Sequence, residues 1–199
     1  MAREFLRTLL TENVRKAQAR YYGRAYPDLG AAGRPDELTA DEIEFVHARD
    51  SFYMATVTED GWPYVQHRGG PKGFLVAHSP SQLLFADYGG NRQLITVGSL
   101  AANPRVCLFL MDYAGRARLK ILGSATVLDP REHADLVAAS APPGGHAAPV
   151  ERLVRIEVKS FDWNCPKFIT PRYTADEVAA VVEPLQQLVA EQKAELERR

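Results

Sequence analysis

Between residues 52 and 161 the chain repeatedly sets a short apolar or alternating run against a cluster of turn residues. That pattern suits strands and few other elements. FYMATVT (52–58) meets Glu59-Asp60-Gly61 and is followed by WPYVQHR (62–68), which predicts a hairpin. FLVAHS (74–79) and QLLFADY (82–88) flank Pro80-Ser81 in the same way. RVCLFLMDY (105–113) and RLKILGSATVLD (118–129) flank Ala114-Gly115, and LVRIEVKSF (153–161) is a further strand. About six short strands at regular spacing predict a small closed or partly open antiparallel barrel, mainly β with flanking helices.

Helical spacing brackets this region. Residues 3–22 carry Phe5, Leu6, Leu9, Leu10, Val14 and Ala17 on one face, which predicts one helix. Residues 23–38 are rich in Gly, Pro and Ala and form a connection. Thr39 and Glu42 make a capping box ahead of Ile43, Phe45 and Val46. NRQLITVGSLAAN (91–103) has helical length, Asn91 as its N-cap and an Asn-Pro stop. PREHADLVAAS (130–140) is a short helix, and PPGGHAAP after it is a loop. A second capping box, Thr174 with Glu177, opens a helix striped by Val178, Val181, Val182, Leu185, Leu188 and Val189, with Pro184 a predicted kink. The expected organisation is an N-terminal helix and connection (1–38), a barrel (39–173) and a C-terminal helix (174–199).

Composition narrows the function. The formal net charge of -1 on 199 residues gives no global field toward nucleic acid or an acidic membrane, so any anion site is local. The two cysteines and five histidines fit no metal-ligand spacing and no disulfide framework. Cys107, inside VCLFLM, is expected to be a buried thiol. No apolar stretch is long enough to span a bilayer, and MAREFLRTLL, with Glu4 early and no cleavage signature, predicts a soluble cytoplasmic protein.

Three stretches concentrate polar and cationic groups beside glycines or strand ends. YVQHRGGPKGF (64–74) offers Gln66, His67, Arg68, Gly69, Gly70 and Lys72. Glycine admits a flat ligand close to the backbone, and Arg and Lys hold phosphate. The same residues also suit a twisted edge with surface cations. DYGGNRQ (87–93) places Tyr88, Asn91, Arg92 and Gln93 at a strand-to-helix turn, where free N–H groups favour anions. RARLK (116–120) sets Arg118 and Lys120 on one strand face, with Leu119 on the other. A fourth stretch, FDWNCPKFITPR (161–172), mixes aromatic and polar groups after the last strand and includes Trp163. A flat, phosphorylated, partly apolar cofactor accounts for these stretches together.

In that order, PYVQHRGGPKGF, FADYGGNRQ, NPRVCLFLMDY, RARLKILGSA and FDWNCP with its following IT-PR resemble the pyridoxamine 5'-phosphate oxidase-like, FMN-binding split-barrel proteins. The resemblance runs from about Thr39 to about Arg172 and is nearest to an uncharacterised subgroup. It implies a six-stranded antiparallel split barrel, usually a homodimer with FMN at the subunit interface. It implies that Gln66, His67, Arg68 and Gly69 lie along the flavin and that Lys72 lies near the phosphate. Asn91, Arg92 and Gln93 match the family's second phosphate turn, with Tyr88 just before it. Arg118 matches a flavin-contacting strand position, and Trp163 an aromatic that often reaches the flavin across the dimer.

The biosynthetic oxidase ends in an Arg-Leu-His-like substrate motif; here the tail reads Lys167 to Arg172 as KFITPR, so oxidation of pyridoxamine phosphate is not expected. The subgroup also leads one to expect Asn at Ser99 and Gln-His at Lys167-Phe168. The implied function is an FMN-dependent oxidoreductase acting with a small-molecule substrate or electron donor. A non-catalytic flavin-binding or redox-sensing module, or a split barrel taking deazaflavin or haem, stands as the alternative.

Overall fold

The computed structural model describes residues 3–31, 33–90, 92–142, 144–145, 148–163 and 166–198. The chain divides into two units, one of residues 1–111 and 118–165, the other of residues 112–117 and 166–199. The first holds α1 (Arg3–Leu9), α2 (Glu12–Tyr22), α3 (Ala40–His47), α4 (Ile95–Ala102) and α5 (Ala134–Ala139). It also carries the sheet: β1 (Ser51–Val57), β2 (Pro63–Gly69), β3 (Val76–Ser79), β4 (Gln82–Tyr88), β5 (Arg105–Asp112), β6 (Ala117–Leu128) and β7 (Val150–Trp163). The last residue of β5 and the first of β6 belong with the connecting turn to the second unit, whose main element is α6 (Ala175–Glu197).

The sheet has seven strands in the order β2-β1-β5-β6-β7-β4-β3, one at each of the seven strand-like runs of the sequence and one more than the six of the expected barrel. The hairpins are those predicted. At the first, Thr58 N–H donates to the Trp62 carbonyl (2.9 Å) and Gly61 takes φ 86°, a value glycine adopts freely. Alternation then sorts the side chains. In β1, Phe52, Met54 and Thr56 are buried, while Tyr53 faces out. Phe52, Met54, Leu83, Phe85, Leu108, Leu110, Leu119, Ile121 and Ile156 share one core.

The helices depart from expectation in two places. The predicted helix over 3–22 is two helices, because the Thr11 side chain caps a new start by accepting from Val14 N–H (3.4 Å). The helix expected from Asn91 begins four residues later; Leu94 is its N-cap position, at φ 52°, and makes no side-chain cap bond. Asn91 itself lies outside the described residues, as do Pro143, His146 and Ala147 of the predicted loop. The capping boxes at Thr39 and Thr174 form as predicted, and α6 runs through Pro184 with no buried residue.

β7 carries two bulges. Opposite β6, Leu122 pairs with Ser160 and Gly123 with Val158, leaving Lys159 as the extra residue. Lys159 Nζ meets Glu4 Oε1 at 2.9 Å, which ties α1 to the sheet. Opposite β4, Asp87 pairs with Arg152 and Tyr88 with Val150, leaving Glu151 as the extra residue.

Candidate functional site

The sheet's two ends meet through side chains. β2 ends the strand order on one side and β4-β3 on the other, and Arg68 of β2 reaches Asp87 of β4 with Nη1 2.6 Å from Oδ1. Arg68 thus spans a split that no backbone ladder among the described residues closes. Beside this pair opens a cavity of about 430 Å³ lined by residues of β2, β4, β7 and the segment that starts α4.

Alternation selects who faces it. Tyr64, Gln66 and Arg68 line the cavity, and the intervening Val65 and His67 lie on the exposed face of β2. His67 instead stacks edge-on against Tyr53, with centroids 5.6 Å apart. Gln66 accepts from the Thr96 hydroxyl at 2.8 Å, fixing β2 to the first turn of α4. Tyr88, Arg92 and Gln93 join the lining, with Arg92 at φ 59°. A second recess of about 200 Å³, walled by His67, Gly69, Phe74 and Phe85, shares Arg68, Asp87 and Tyr88 with the first.

Five expected residues thus meet at the larger cavity (Gln66, Arg68, Tyr88, Arg92 and Gln93) and two at the smaller recess (His67 and Gly69). The other described ones do not line either. Lys72 stands in the exposed turn after β2. Arg118 lies on β6, half-buried, on the same face as Lys120, as alternation predicted. Trp163 donates from Nε1 to Glu42 Oε1 (2.5 Å) and packs edge-on against Phe45, with centroids 4.7 Å apart. Burial opposes ionisation of Glu42, yet the hydrogen bonds from Thr39 and Trp163 hold its carboxyl below the ordinary range.

The glycines have a local reason. A Cβ on Gly70 would sit 2.7 Å from the Phe74 ring, and one on Gly89 2.9 Å from Glu151 Oε1. Both bare positions leave room for neighbouring side chains of this chain. Gly90 differs: a Cβ there would meet nothing within 4 Å.

Sequence reasoning missed Asp87, Glu151 and Arg152 as site residues. Asp87 holds both arginines, Arg68 at 2.6 Å and Arg152 Nε at 2.9 Å, while Arg152 Nη2 bonds Glu151 at 2.7 Å. Hydrogen bonding to Asp87 raises the Arg152 pKa above its already high ordinary value, so it stays protonated. Burial pushes the Tyr88 phenol up, keeping it a neutral donor. Cys107 is half-buried rather than buried, and desolvation raises its thiol pKa, which disfavours the thiolate.

The family model described as pyridoxamine 5'-phosphate oxidase matches residues 38–164. The chain belongs to that family. The expected split-barrel class, with β-sheet flanked by helices, holds for this pyridoxamine 5'-phosphate oxidase relative. Its fold is similar to that of a Lactobacillus delbrueckii protein described as a candidate pyridoxamine 5'-phosphate oxidase. That likeness has TM-score 0.50 and 20% identity, covering 63% of this chain and 93% of that one. Group A Streptococcus HupZ is similar at TM-score 0.50 and 11% identity, over 69% of this chain and 100% of that one. No curated protein matches the chain at a significant level. No helix among the described residues is long and apolar enough to cross a membrane.

Proposed function

We propose that this chain is an FMN-binding oxidoreductase whose cofactor phosphate is held at the β2–β4–α4 cavity. The observation that carries the reading is Arg68. Its side chain is 15% exposed, one nitrogen holds Asp87, and Nε is buried with no hydrogen-bond partner among the described residues. A buried, unpartnered guanidinium nitrogen is costly unless a ligand accepts from it. The Arg68 side chain lines a cavity that also receives Arg92 and the first residues of α4, Ile95, Thr96 and Val97. Free N–H groups at a helix start, together with guanidinium donors, fit a phosphate monoester.

In this reading Arg68, Arg92 and the α4 N-terminus hold the phosphate, with Gln93 beside them and Asn91, the residue before Arg92 in the sequence, proposed to join them. Gln66, His67, Gly69 and Tyr88 border the flavin, and Lys72 adds positive charge beyond β2. In a homodimer, Arg118 and Trp163 would serve the cavity of the partner chain. FMN supplies the redox chemistry, taking electrons from a small-molecule donor and passing them to an acceptor. The protein's residues bind, orient and desolvate it, and oxidation of pyridoxamine phosphate itself is not part of the proposal.

The test is the visible absorption spectrum of the purified protein, with chromatographic identification of whatever chromophore is released on denaturation. Bound FMN supports the reading. A released deazaflavin or a haem Soret band would replace FMN while keeping the cavity. A colourless protein that also fails to take up added FMN would overturn it. Bound FMN that no nicotinamide or other donor reduces would instead mark a flavin-binding module without turnover.

A further inference from the structure

Glu151 and Arg152 are consecutive residues of β7, yet both line the cavity. Consecutive residues of a regular strand point to opposite faces. The bulge removes that constraint: Glu151 has no Cα partner on β4, while Arg152 sits opposite Asp87. Bulges of this kind re-aim side chains beside sites. Gly89, across from the bulge, leaves just enough space for the Glu151 carboxylate.

The result is a second arginine arm. Arg152 Nε is fixed by Asp87 Oδ2 at 2.9 Å and Nη2 by Glu151 Oε2 at 2.7 Å, and among the described residues Nη1 makes no hydrogen bond. Asp87 divides its two oxygens between Arg68 and Arg152, so one carboxylate sets the spacing of two guanidinium groups. Their charges and that of Arg92 exceed those of Asp87 and Glu151, so the lining is net positive. A rigid pair of guanidinium forks suits a tetrahedral oxyanion better than a neutral hydroxyl.

We propose that Arg152, delivered by the bulge at Glu151, is a further phosphate-holding residue of this cavity and sets its preference for a phosphorylated over a non-phosphorylated flavin. The inference rests on the flavin reading above, and its failure is separable from the failure of that reading. Its alternative is that Arg152 only clips β7 to β4 through Asp87.

The experiment is equilibrium titration of the flavin-free protein with FMN and with riboflavin, followed by flavin fluorescence, for the wild type, Arg152→Gln and Arg152→Lys. Thermal melts of each variant establish that it is folded. The expected result is a loss of FMN affinity of about tenfold to a hundredfold in Arg152→Gln, the range of one charge-assisted hydrogen bond, with riboflavin affinity unchanged. Arg152→Lys should lose part of the FMN preference, because an ammonium cannot hold Asp87, Glu151 and a ligand through a planar fork. If Arg152→Gln does not fold, Arg152→Lys carries the test alone. A variant that weakens FMN and riboflavin equally, or neither, overturns the role of Arg152 and leaves the cavity's assignment standing. A wild type that binds neither flavin overturns the flavin reading and this inference with it.

Discussion

A glycine in a strand can make room for a ligand or for the protein's own atoms, and the neighbours decide which. Gly123 belongs to the second kind: a Cβ there would lie 2.6 Å from the Glu157 carbonyl oxygen and 2.7 Å from Ile156 Cγ2. Gly123→Ala should cost about 1–3 kcal/mol by overpacking, whereas Gly90→Ala should stay within about 0.5 kcal/mol. Denaturant unfolding of the two variants measures the contrast. Arg68 makes the matching case for a charged residue. Arg68→Gln removes the donor that spans the split and faces the cavity, and should weaken FMN by about 1.5–3 kcal/mol in a fluorescence titration. Glu4 gives a pH signature. Hydrogen bonds from Lys159, Arg7 and Gly33 lower its pKa from 4.5 to about 2. A lowered folded-state pKa means stability that is full above the unfolded value and lost as pH falls through the folded one. The wild type's advantage over Glu4→Gln should therefore hold above about pH 4.5 and shrink toward pH 2, read from melting temperatures across that window.

At the scale of elements, α4 is the segment where local rules and the site conflict. Its N-cap position is Leu94 at φ 52°, a left-handed conformation that costs a leucine about 1–2 kcal/mol. Asn tolerates that region, so Leu94→Asn should raise stability by about 1 kcal/mol, or about 2–4 °C in melting temperature. That conflict also explains what the sequence could show. Hairpins were legible because turn residues and period two act locally, and Thr39 and Thr174 announced their helices through residues three apart. The start of α4 was not legible, because a good cap at Asn91 precedes two residues, Arg92 and Leu94, held at positive φ. The break at Thr11 was hidden under a continuous apolar stripe. The site showed the same division. Gln66, Arg68, Arg92 and Gln93 lie in stretches whose composition drew attention. Arg152 and Glu151 reach the cavity through a register shift on a partner strand, which no single-strand pattern encodes.

At the scale of the whole molecule, the fold leaves apolar surface that a monomer has little reason to keep. Tyr53 of β1, Val65 of β2 and Trp62 of the turn between them are exposed, and within the second unit α6 separately exposes Val181, Leu185 and Leu188. Contiguous exposed apolar groups mark association surfaces. Sedimentation equilibrium should therefore give twice the chain mass, as the homodimer reading requires, and Val65→Glu should shift it toward the monomer.

The central claim is that the phosphate of FMN sits between Arg68, Arg92 and the start of α4. A crystal structure of the protein with FMN tests it most directly. The account predicts the phosphate within hydrogen-bond distance of the Arg68 guanidinium and an α4 backbone N–H. A phosphate found instead beside Lys72 or Arg118, with Arg68 Nε still unpartnered, would contradict it.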